Sequence, residues 1–179
     1  MVMKKLLFFI ILIIALFATM SCSVAEWLLF PTATEEEIIS EKIGRDTSGG
    51  EITVFEDSHG GFHGDGALYA EVKFADSSFS DRVSLEWKPL PLGTELRIVC
   101  YGGTDKNGYS CAPHIRDAEG NARIPQIKDG YYYFIDNFTA EHVADRFDES
   151  EFLCRSSVNY TLAIYDSDTK TLYVFEYDT

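Results

Sequence analysis

Val158, Tyr160, Leu162 and Ile164 stand two apart near the C-terminus, with Asn159, Thr161 and Ala163 between them. A period of two belongs to an extended strand, whose side chains point alternately to opposite faces. Asp166-Ser167-Asp168-Thr169 then supplies turn residues, and Leu172 to Tyr177 returns. The segment reads as a β-hairpin, and two strands alone are marginal in water, so the chain must supply a larger sheet for it to join. With Leu162 on the core face and Thr161 on the other, Leu162→Ala should cost far more than Thr161→Ala. Asp166 and Asp168 also mimic the first two ligands of a calcium loop. The glycine and distal glutamate of such loops are missing, and an Asx-type turn accounts for the pair.

The partners for that hairpin lie upstream. Glu51 to Asp57 and Ala67 to Ala75 each alternate, Ile52 and Val54 marking one side of the first, and Leu68, Ala70, Val72 and Phe74 one side of the second. After the Asp129-Gly130 turn, Tyr131-Tyr132-Tyr133-Phe134-Ile135 is apolar at every position, as in a strand covered on both faces. Exposed, the same rings would make a platform for sugar, but an unbroken aromatic run reads first as core. Thr34-Glu35-Glu36-Glu37 is a capping box that starts a helix over 35–43, with Gly44 to end it. Between Ser77 and Lys88, Phe79, Val83 and Trp87 fit a helix by their spacing of four, whereas Val83, Leu85 and Trp87 fit a strand by their spacing of two. Aspartate and serine at its start favour the helix. Lys88-Pro89-Leu90-Pro91-Leu92 breaks it, 96–101 is a short apolar segment of either kind, and 102–120 reads as a long polar loop. Together these predict an α+β domain: one mainly antiparallel sheet of about five strands with about two short helices against it.

Lys4 and Lys5 precede an apolar run from Leu6 to Ala18, followed by small residues at Ser21, Cys22 and Ser23. This is the layout of an export signal, and the run is shorter than the roughly 20 residues a membrane span needs. A span is reached only by carrying the run through to Ala25. The division expected is 1–22 signal, 23–34 tether and 35–179 a single domain. Removing the signal removes two lysines and no acid, which leaves 13 Lys+Arg against 29 Asp+Glu, a formal charge of 13 − 29 = −16. Such a surface stays soluble, repels nucleic acid and attracts cations at long range. Of the four cysteines, Cys22 belongs to the cleavage region, and once it is set aside an odd number remains. Cys100 and Cys111 could close a short disulfide loop outside the cytoplasm, and Cys154, beside Phe152 and Leu153, reads as a buried small hydrophobe.

Residues 57–66, DSHGGFHGDG, hold two histidines, two aspartates and four glycines. His59 and His63 with Asp57 or Asp65 would offer nitrogen and oxygen ligands to Zn²⁺ or another divalent first-row ion. Gly60, Gly61 and Gly64 forbid a helix, so the spacing of four between the histidines does not place them on one face. A third or fourth ligand would have to come from elsewhere, His114 and His142 being the remaining histidines. The plainer reading is a hairpin tip whose glycines turn the chain and whose aspartates bond to nearby backbone N–H groups. Nucleophilic catalysis has less behind it. There is no G-x-S-x-G, H-E-x-x-H, P-loop or G-x-G-x-x-G, and a dyad of Cys154 with His142 or His114 is a drawing any such chain allows.

Thr19-Met20-Ser21-Cys22 resembles the lipobox of bacterial lipoproteins, with Thr19 where that family usually has Leu. The resemblance implies that Cys22 is acylated, becomes the mature N-terminus and holds the chain at the membrane. Ser23-Val24-Ala25 offers an ordinary cut after Ala25 instead, which would secrete it. The combination SHGGFHGDG, WKPLPL, YYYFID and LAIYDSDTKTLYVFEYDT resembles a group of small hypothetical proteins of Firmicutes and related gut bacteria over most of 45–179. It implies a bacterial single-domain protein and carries over no catalytic or binding residue. The expectation is an exported, membrane-anchored, non-enzymatic domain that needs no cofactor and binds a protein or small ligand through its loops. The alternative is a metal-binding protein or metal-dependent enzyme centred on 57–66.

Overall fold

In the computed structural model, which describes residues 33–60, 65–138, 145–150, 152–155 and 157–179, the alternating segments all become strands of one sheet. Along the chain run α1 (Glu35–Ile43), β1 (Gly50–Asp57), β2 (Gly66–Phe74), α2 (Ser78–Val83), β3 (Lys88–Pro89), α3 (Thr94–Tyr101), β4 (Gly103–Thr104), β5 (Ser110–Cys111), β6 (Gly130–Asp136), a 3-10 turn (Phe152–Cys154), β7 (Asn159–Asp166) and β8 (Thr171–Asp178). The main sheet is antiparallel throughout in the order β1-β2-β8-β7-β6-β3, and β4-β5 form a separate two-stranded ribbon. The α+β class expected from sequence is thus present. Among the described residues the five expected strands gain a sixth of two residues, and three α-helices stand where about two were expected. The extra strand is short because Pro89 has no N–H to give, and proline is tolerated in a sheet only at such an edge.

Alternation along the strands sends side chains to two separate cores. One face carries Leu68, Ala70, Val72 and Phe74 of β2 with Leu172 and Val174 of β8, packed under Ile39 and Ile43 of α1 and Phe79 and Val83 of α2. The other carries Tyr69, Tyr160, Leu162, Phe134 and Phe175 beneath Leu96, Val99 and Cys100 of α3 and Ile115 and Ile124. The tyrosine run splits accordingly, Tyr132 joining the α3 side and Tyr131 and Tyr133 the α1 side. Because β7 is central and covered on both faces, Thr161 is only 1% exposed, which corrects the expectation that its face is open. Its Oγ1 accepts a hydrogen bond from Asn137 Nδ2 at 3.0 Å.

Three local choices set this frame. Glu35, Glu36 and Glu37 occupy the first turn of α1, where the helix dipole favours negative charge, and Lys42 in the last turn donates to Glu176 Oε1 of β8 at 2.8 Å. Leu85 is 93% exposed, so the stretch after Phe79 is helix and turn: a strand would have put Leu85 on the same face as Val83 and Trp87. Gly130, with φ of 149°, starts β6 where a Cβ would lie 1.9 Å from the Tyr165 carbonyl oxygen, so only glycine lets the two backbones approach. Glu35–Thr179 form one compact unit.

Candidate functional site

On the α3 side of the sheet, the segment after α3 folds into two tight hairpins. Asp105 Oδ1 accepts the backbone N–H groups of Asn107 and Tyr109 at 2.9 and 2.7 Å in the first, and Asp117 Oδ1 accepts that of Asn121 at 2.8 Å in the second. Between them the chain is pinned to α3, since the N–H groups of His114 and Ile115 both donate to the Val99 carbonyl. Ile115 and Ile124 sink into the core, and the residues between them stand over the edge of the sheet. Here lies a cleft of about 540 Å³, floored by Tyr69, Phe175 and Tyr177 and walled by His114, Arg116 and Arg123.

Each wall residue is held differently. Arg123 makes a two-pronged contact with Glu56 of β1, at 2.6 and 2.7 Å, while its guanidinium lies 3.8 Å from the centre of the Tyr69 ring. That hydrogen bond lowers the Glu56 carboxyl below its usual range, although the pair faces solvent and adds little stability. Tyr69 donates its O–H to Glu71 Oε1 at 2.6 Å, and burial, with that bond, raises its phenol well above the usual range. His114 Nδ1 lies 3.0 Å from the hydroxyl of Tyr160, which is fully buried in the core. Burial and then the neighbouring Arg116 charge hold the imidazole below its usual pKa, so at neutral pH the ring is uncharged. Burial also keeps Tyr160 protonated. Arg116 is exposed, and among the described residues it meets no carboxylate. The stacked rings of Phe175 and Tyr177, 6.0 Å apart and 14° from parallel, complete an apolar surface beneath it.

The residues singled out in the sequence fall as follows. Asp57 and His59 come together at the end of β1, Nδ1 of the ring lying 2.7 Å from Asp57 Oδ1, which also accepts the His59 backbone N–H at 2.9 Å. Burial opposes ionisation of Asp57, but these bonds outweigh it and the carboxyl is lowered. Asp65 is exposed, and among the described residues no group of three or more His, Cys, Asp or Glu is placed to hold a metal ion. His63, His142, Cys22 and the Cys154 side chain lie outside the described residues. The loop closes through Ser58, whose N–H donates to the Ala67 carbonyl at 2.9 Å. Gly66 is required there, since a Cβ would sit 2.6 Å from His59 Cα. The Cys100–Cys111 disulfide that the sequence allows is not formed: both thiols are free, Cys100 fully buried in α3 and Cys111 half-buried in β5.

From sequence His114 stood out only as a spare metal ligand or a possible partner of Cys154, and Arg116 and Arg123 did not stand out at all. The cleft joins residues from 55 to 177, and only the strand register brings them together. No protein-family model, no curated protein and no solved structure matches the chain.

Proposed function

We propose that this is an exported bacterial lipoprotein, held at the membrane by acylated Cys22, whose folded domain binds a small anionic ligand with an apolar body in the cleft beneath Arg116. Two or more acyl chains would make that attachment stable. The carrying observation is a cationic wall without its own counter-charge, Arg116, above an aromatic floor. Glu56 and Asp57 also line the cleft, but Glu56 is engaged by Arg123 and Asp57 by His59, so in a chain of formal charge −14 the unengaged Arg116 is a place for a ligand's anion. The volume lies within the range of small-molecule pockets, roughly 300 to 1,000 Å³. The neutral His114 contributes a hydrogen-bonding edge without adding charge. Titration calorimetry with cinnamate and cinnamamide tests this: cinnamate should bind the mature chain, the amide at least tenfold more weakly, and Arg116→Glu should remove the difference. Equal affinities for the two probes would end the proposal.

One observation favours a second reading. His59 gives Nδ1 to Asp57, while its Nε2 is buried and has no hydrogen-bond partner among the described residues. A carboxylate that orients an imidazole with the other nitrogen free is the usual support of a metal-ligating histidine. On this reading zinc should raise the melting temperature of the wild type, and neither His59→Ala nor His63→Ala should respond. Affinity should fall as pH drops through the histidine range, because a protonated imidazole cannot ligate. Elemental analysis showing no bound metal, with no thermal response to zinc, would leave 57–66 as a hairpin tip.

A further inference from the structure

A second cavity, of about 440 Å³, lies at the opposite edge of the sheet where β3 stops short. β3 pairs only with Tyr131 and Tyr132, and the next outward bond from β6 is the Asp136 N–H to the Arg146 carbonyl at 2.7 Å. Antiparallel strands turn alternate residues to alternate neighbours, and Gly130 and Asp136 both bond outward, so the N–H and C=O of Phe134 face the gap between. Aromatic rings surround that backbone. Trp87 and Tyr133 stack at 5.7 Å and 29°, and Phe147, which is 50% exposed, meets Tyr133 edge-on at 6.4 Å. Arg45 and Glu86 form the rim and are paired with each other. Lys88 donates to the Phe147 carbonyl at 3.2 Å and stands 3.9 Å from Glu149.

We infer that this cavity binds a neutral sugar ring. Each cation at the rim already faces a carboxylate, so a charged guest would be uncompensated, whereas a polyol can bridge such pairs without disturbing their balance. The Arg45 fork, the Glu86 carboxylate, the Lys88 ammonium and the Phe134 backbone offer both donors and acceptors to hydroxyl groups. The Tyr133 and Phe147 rings offer faces to the C–H side of a pyranose, which carries a slight positive charge suited to an aromatic face. The site is independent of the Arg116 cleft.

Trp87 sits in the cavity wall and can report occupancy. With Trp27→Phe, Trp87 is the sole indole, since the chain has two tryptophans. The mature chain carrying this change should show a saturable shift in emission with millimolar methyl glucoside, galactoside, mannoside or cellobiose. Phe147→Ala and Glu86→Gln, both at solvent-facing positions, should each weaken binding at least tenfold with an unchanged melting temperature, while Arg116→Glu should leave it alone. No saturation by any of the four sugars would overturn the inference. So would full affinity in Phe147→Ala, or saturation by N-acetyltyrosinamide alone, which would mark a pocket for a peptide side chain.

Discussion

Replacing His114 by Asn should flatten the acid limb of the stability curve. The folded imidazole sits below its ordinary pKa through burial and the Arg116 charge, so the unfolded chain takes up the proton first as pH falls. The contribution is complete above about 6.5, the unfolded value, and is lost as pH drops through the folded one. Urea midpoints between neutral pH and about pH 5 should fall more steeply for the wild type than for His114→Asn. Parallel slopes would show that His114 is not the group that titrates. Cysteine chemistry gives a second test at this scale. Burial pushes the Cys100 thiol up to about 12, whereas Cys111 is half-buried, so iodoacetamide should label Cys111 in the native protein and Cys100 only after unfolding. A purified chain lacking two hydrogens by mass would instead show that these thiols pair.

Leu162→Ala should cost about 2 to 5 kcal/mol, because Leu162 lies mid-strand in the central β7 and is fully enclosed. Thr161→Ala should cost about 1 to 3 kcal/mol, for it leaves the Asn137 amide without its acceptor in a covered site. Leu85→Ser should stay within about 0.5 kcal/mol, as exposed substitutions do. Denaturant midpoints check all three, and a Leu85→Ser loss as large as that of Leu162→Ala would put the α2 region in the wrong register. These elements also show what sequence can carry. A run such as Leu68, Ala70, Val72, Phe74 repeats often enough to declare its period, and the long strands followed from that, as α1 followed from its capping box and terminal glycine. The period alone did not say whether the second face was covered, and so Thr161 was misplaced. The hairpins inside 102–122 escaped because each strand is too short to show alternation. Their signal is the paired D-x-x-G, Asp105 with Gly108 and Asp117 with Gly120, whose glycines take φ of 87° and 88°. The Asp57–His59 contact was within reach because a single residue, Ser58, separates the partners. The Arg116 cleft was not, because its walls meet only once β2 and β8 have found their register.

For the whole molecule, Cys22→Ala should release the protein from membranes or leave an unprocessed precursor. Fatty-acid labelling equal in wild type and mutant would refute the anchor. No helix among the described residues is long and apolar enough to cross a membrane, and the Leu6–Ala18 run lies outside them. The order β1-β2-β8-β7-β6-β3 carries a further consequence, in time rather than in space. Of the described strands β8 comes last in sequence, yet it sits third in the sheet, where it joins the early β1-β2 pair to the β7-β6-β3 group. Until Thr171–Asp178 leave the ribosome, neither half can bury its inner edge. A chain that lacks β8 cannot close this sheet, an order of events that would suit the proposed export, in which passage precedes folding. Truncation before Thr171 should accordingly yield a chain that fails to fold and is degraded, rather than one that folds with a missing edge.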